Sequence, residues 1–82
     1  LKSLTIKDCG LKLLPEEFSM LIYLQELNLS GNNLNKLPFA FTELKQLKRL
    51  NLDQNKFEQF PDSIKRMDTL SHLSIDGNLF SE

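Results

Sequence analysis

Few residues in this chain have the types and spacing that chemistry needs. Asp53 and Asp76 stand 23 positions apart, and they fall in one column once the repeat described below is in register. Side by side, such a pair suits a cation or a basic group on a partner. Two carboxylates fall short of the six to eight oxygens that calcium takes, so two solvated side chains are the simpler reading. His72 is the sole histidine. Four strand residues, about 13 Å, separate it from Asp76, and no cysteine or carboxylate lies at ligand spacing, so it reads as a surface histidine. Cys9 is the sole cysteine, which excludes an internal disulfide and a cysteine-based zinc site. Asn28-Leu29-Ser30 matches the N-glycosylation pattern, but Asn28 sits mid-strand among packed neighbours and the match reads as chance. No serine has a base placed beside it, and there is no Gly-rich phosphate loop. No catalytic, cofactor-binding or metal-ligating residue is expected, and the chain does not read as an enzyme.

Eighty-two residues make at most one domain (1–82), near the size where a single core is marginal. The chain is 40% apolar and 26% charged with a net charge of −1. Those values are ordinary for a globular chain and give no attraction to nucleic acid or an anionic membrane. No apolar run reaches the 18 or so residues of a membrane span, so no membrane insertion is expected. No signal peptide is visible. The chain opens on Leu1, inside the pattern described next, as a mature or trimmed product would.

The elements that position these residues come from an internal repeat of 23. The first unit, 1–23, supplies Leu1, Leu4, Ile6, Cys9, Leu11, Leu14, Pro15, Phe18 and Leu21. The second, 24–46, supplies Leu24, Leu27, Leu29, Asn32, Leu34, Leu37, Pro38, Phe41 and Leu44. The third, 47–69, supplies Leu47, Leu50, Leu52, Asn55, Phe57, Phe60, Pro61, Ile64 and Met67. The fourth, 70–82, is partial: Leu70, Leu73, Ile75, Asn78 and Phe80. With the Asn/Cys and Pro columns set aside, all 25 positions are apolar. Against a 40% apolar background that is on the order of 10⁻¹⁰ by chance, so the repeat is real.

Each unit has a physical reading. Leu27 and Leu29 alternate with polar residues at the period of a strand with one buried face. Copies that all run the same way stack only as a parallel sheet, about 4.8 Å apart. End strands near 3–7 and 72–76 follow. Asn32, Asn55 and Asn78 fall where the chain turns, and their amides suit a ladder of bonds to the turn backbone. Cys9 takes that place in unit one, with a thiol that fits but bonds less well. Pro15, Pro38 and Pro61 suit the first turn of a helix. Apolar pairs three apart then predict short helical segments near 16–21, 39–45 and 62–67. A wide helical layer beside closely spaced strands makes the solenoid curve with the strands concave.

The pattern LxxLxLxxNxLxxLPxxFxxLxxL, which covers essentially all 82 residues, resembles the leucine-rich repeat (LRR) proteins. The uninterrupted 23-residue unit with LP and Phe resembles the LRR proteins of pathogenic leptospires; similar units occur in eukaryotic intracellular LRR scaffolds. The resemblance implies an α/β fold. Its form is a right-handed solenoid, a segment of a horseshoe. Four short parallel strands form the concave face, and helical or 3-10 segments form the convex side. It also implies a non-enzymatic protein-binding module, with host proteins as partners and a secreted or surface-exposed location if the bacterial likeness holds. The alternatives are an assembly repeat and a piece of a eukaryotic signalling scaffold.

In LRR proteins the concave face is the usual binding surface. Here its outward columns read Ser3, Glu26, Arg49, His72; then Thr5, Asn28, Asn51, Ser74; then Lys7, Ser30, Asp53, Asp76. The expected protein-binding residues are Glu26, Asn28, Arg49, Asn51, Asp53, His72, Ser74 and Asp76. With the flanking residues counted, four cations balance four anions, and Arg49 alone belongs to a type common in binding hot spots. A solvated sheet face looks much the same. On the other side Met20, Ile22, Tyr23 and Phe39 fall outside the core columns. They are expected either to form an apolar assembly patch or to be half-buried by loops. No capping unit is visible, so self-association through the end strands is expected.

Overall fold

One strand that buries a single row of leucines cannot stand alone, so the repeats have to stack. A computed structural model describes residues 2–80; Leu1, which was to open the first unit, and Ser81 and Glu82 lie outside the described residues. Four strands, β1 (Ser3–Thr5), β2 (Glu26–Asn28), β3 (Arg49–Asn51) and β4 (His72–Ser74), form one parallel sheet in chain order. Ser3 pairs with Glu26, Glu26 with Arg49 and Arg49 with His72, so every step of the register is one repeat.

The strands are shorter than the alternation suggested, and Asn28 ends β2 instead of lying within it. The inter-unit backbone bonding nevertheless runs on. Ile6 donates to the Asn28 carbonyl at 2.8 Å and Leu29 to that of Asn51 at 2.8 Å, followed by Asp8 to Ser30 and Gly31 to Asp53. The chain then turns out of the sheet because one column is left-handed: Asp8 (φ 56°), Gly31 (71°), Gln54 (54°) and Gly77 (70°).

The opposite layer consists of 3-10 segments at Glu16–Met20 and Phe39–Glu43 and one short helix, α1, at Asp62–Lys65. All three are shorter than expected. Apolar residues three apart suit the 3-10 form, where i and i+3 eclipse. Pro15, Pro38 and Pro61 stand just outside these segments, not at their first helical position. Their backbone is extended, and their carbonyls accept the first turn's bonds from Phe18, Phe41 and Ile64.

Between the layers lies the core. Leu24, Leu29, Leu34, Phe41, Leu47, Leu52 and Phe57 are completely buried, and the Phe18 and Phe41 rings stack with centroids 6.3 Å apart. The outer units are less covered, with Leu4 and Ile75 half-buried and Phe80 exposed. Three column positions are exposed: Leu73 and Phe80 in the partial last unit, and Phe60 within the stack. Phe60 is 39% exposed where Leu14 is buried, because its ring turns to a surface depression shared with Leu37 and Phe39.

Candidate functional site

The asparagines of the turn column bond to the backbone of two units. Asn32 accepts at Oδ1 from the Cys9 and Leu11 backbone N–H groups (3.1 and 3.0 Å) and donates from Nδ2 to the carbonyls of Ile6 and Leu29 (2.7 and 2.9 Å). Asn55 accepts from Leu34 and donates to Leu29, Leu52 and Asp53. Asn78 accepts from Phe57 and donates to Leu52 and Ile75. Each amide therefore joins its own turn to the preceding unit's backbone. Cys9 does less: its exposed thiol reaches only the Lys7 carbonyl, at 3.2 Å.

The outward sheet face is an open trough of about 610 Å³ lined by the first two outward columns and the leucines between them, with the third column, Lys7, Ser30, Asp53 and Asp76, lying beyond it. Its first column is exposed. Arg49 Nε stands 3.6 Å from Glu26 Oε2, with both side chains more than half exposed; such a pair contributes roughly 0.2–1 kcal/mol. His72 Nδ1 lies 3.0 Å from the Ser71 hydroxyl. In the second column the asparagines are locked by their own chain. Asn28 Oδ1 accepts from the Ser30 N–H (3.0 Å) and hydroxyl (2.8 Å), and Asn51 Oδ1 accepts from the Asp53 N–H (2.9 Å). Their Nδ2 groups have no acceptor among the described residues and stay accessible, since no buried side-chain nitrogen or oxygen goes unpaired. Sequence reasoning missed this locking. The signal was present in Asn28-Leu29-Ser30 and Asn51-Leu52-Asp53, which have the Asx-turn spacing.

The third column departs most from expectation. Ser30 is buried, not exposed as the alternation suggested, and its hydroxyl is bonded to Asn28. Asp53 Oδ1 accepts from the Ser74 hydroxyl (2.6 Å) and the Asp76 N–H (2.8 Å), so this carboxylate joins units three and four. Among the described residues no three His, Cys, Asp or Glu side chains cluster as metal ligands would. The arrangement offers charge, amide donors and hydroxyls to a partner.

The four residues of the expected apolar patch are all exposed: Met20 75%, Ile22 47%, Tyr23 64% and Phe39 67%. They do not share one depression. Phe39 lines the one beside Phe60 and Pro61, with Arg66 5.7 Å above its ring, and Met20, Ile22 and Tyr23 contribute nothing to it. No helix among the described residues is long and apolar enough to cross a membrane.

Comparison with known proteins agrees with this geometry. A family model described as a leucine-rich repeat region matches residues 1–79. An LRR protein of Leptospira interrogans has a similar structure, with a TM-score of 0.82 and 30% identity, covering 95% of this chain and 26% of that one. The LRR domain of the type III effector XopL is similar at a TM-score of 0.82 and 28% identity, covering 94% of this chain and 29% of that one. The chain thus spans between a quarter and a third of the length of these proteins. No curated protein matches it. With the family model running nearly end to end and the fold similar over almost the whole chain, the chain belongs to the leucine-rich repeat family.

Proposed function

We propose that this chain is a protein-recognition module without catalytic activity, and that it binds through the outward face of its sheet. The observation that carries the reading is the second column. Asn28 and Asn51 are held rigidly by their own backbone and present unused amide donors to solvent. Donors fixed before binding cost little ordering when a partner arrives. The partner we infer is a host protein met by a bacterial LRR protein. The likeness to a leptospiral LRR protein and to the LRR domain of a type III effector supports this over a eukaryotic scaffold.

The test uses variants that leave the framework intact. Asp53 joins two units, so its loss would disturb folding. Arg49→Ala with His72→Ala removes two exposed side chains only. In pull-downs from host extracellular extract, that variant should lose bands that the parent and a Tyr23→Ser, Phe39→Ser variant retain. Retention by the Arg49, His72 variant and loss by the other would move binding off the sheet face.

A second reading has one observation of its own. Met20, Ile22 and Tyr23 leave three large apolar side chains in solvent beside one turn, which suits self-association. Light scattering that shows one mass for the parent and the Tyr23→Ser variant over a dilution series would remove it.

A further inference from the structure

The outward face is neutral in sum, but the register makes it uneven. At the edge where the strands begin, Lys2, Lys48 and Arg49 oppose Glu26 alone, a net +2. At the edge where they end, Lys7 opposes Asp8, Asp53 and Asp76, a net −2. All but the half-buried Asp53 are exposed. The edges lie about 13 Å apart, four residues at 3.3 Å each. That exceeds the screening length of about 8 Å at physiological salt, so a ligand meets two separate fields and not their sum. Between them stand the free Nδ2 groups of Asn28 and Asn51.

Resting on the sheet-face reading above, we propose that this face selects an extended polypeptide segment of opposite polarity. An acidic side chain lies over Lys48 and Arg49, a hydrogen-bond acceptor over Asn51 and a basic side chain over Asp53 and Asp76. Alternate side chains of an extended segment share a face about 6.6 Å apart, so the three groups fall at i, i+2 and i+4. Arg49, Asn51 and Asp53 have that same spacing. Asp53 keeps an oxygen for the partner, because both bonds from the fourth unit go to Oδ1 and leave Oδ2 unused.

The test is an NMR titration of the chain with capped pentapeptides. The matched probe is Glu-Ser-Gln-Ser-Lys. Its controls are the isomer Ser-Gln-Glu-Lys-Ser, with the charges adjacent, and the homopolar Glu-Ser-Gln-Ser-Glu and Lys-Ser-Gln-Ser-Lys. The matched probe should shift the Asn28 and Asn51 side-chain amide signals at about 1 mM, at least about threefold tighter than any control. At roughly 1 M salt, where the screening length falls to about 3 Å, the advantage should vanish. Lys48→Glu with Arg49→Glu makes both edges acidic, and preference should pass to the dilysine probe, with signal dispersion reporting that the fold persists. Equal binding of all four probes at the sheet face overturns the polarity and leaves the sheet-face reading standing. Shifts confined to Met20, Tyr23 and Phe39, or no shifts at all, overturn both.

Discussion

Asn28 and Asn32 belong to the same unit, four residues apart, yet the two amides are used in opposite ways. Asn32 lies at 3% exposure with its oxygen and nitrogen both spent on backbone groups of two units. Asn28 is half-buried, spends only its oxygen, and spends it within its own unit. Asn55 and Asn51 repeat the contrast one unit later. A buried amide must satisfy all its groups, because each unpaired one costs about 1–3 kcal/mol. An amide at the surface can leave its donors to water, and so to a partner. The solenoid thus uses one residue type as inter-unit adhesive on one side of the turn and as a presented donor on the other.

The same substitution separates the two uses. Asn55→Asp removes the donor to three carbonyls and sets a charge among them, so it should cost more than about 3 kcal/mol. That is a large part of the roughly 5–15 kcal/mol that holds such a chain folded. Circular dichroism melting should show a collapse or loss of the transition; an unchanged melting curve would mean that Asn55 is not the joint described. Asn28→Ala strips the acceptor from the Ser30 N–H and hydroxyl, and about 1 kcal/mol should be lost, lowering the midpoint by roughly 4–8 °C. Smallest of all is Asn28→Asp. The carboxylate keeps accepting from Ser30, so urea unfolding should change by no more than about 0.5 kcal/mol, while the matched peptide loses a donor. Should Asn28→Asp prove as damaging as Asn55→Asp, the distinction between adhesive and presented donor fails.

Much of this architecture is legible before folding. The spacing of Leu24, Leu27 and Leu29 yields the strand and its buried face, and the 23-residue period yields parallel stacking. The Asn32, Asn55 and Asn78 column yields the ladder. Three features were hidden. Ser30 reads as solvent-exposed by alternation, yet it is buried, with its hydroxyl bonded to Asn28. Asp53 reads as a free carboxylate, yet its bonds come from Ser74 and Asp76, 21 and 23 residues away. Phe60 reads as core because its column holds Leu14 and Leu37. Each failure concerns a residue outside the regular strands and helical segments, where strand alternation no longer applies.

The expected patch of Met20, Ile22, Tyr23 and Phe39 is exposed on the other side. The Phe39 ring lies beneath Arg66 of the next unit, a contact that adjacency in the chain does not reveal. Four cations and four anions balance as a count. The parallel register sorts them, as the repeat columns do in the sequence, because it places residues at one position of every unit along one edge of the sheet.

The amino-acid order was enough to determine the repeat, its strand, its buried leucines and its amide ladder, since hydrophobic period and turn chemistry are local properties. Stacking decided where the charged side chains of the outward face meet across units. The asparagines of the second column are fixed by bonds within their own unit, but Asp53 is fixed by bonds from groups more than twenty residues away, and those pairs exist only after the units have met.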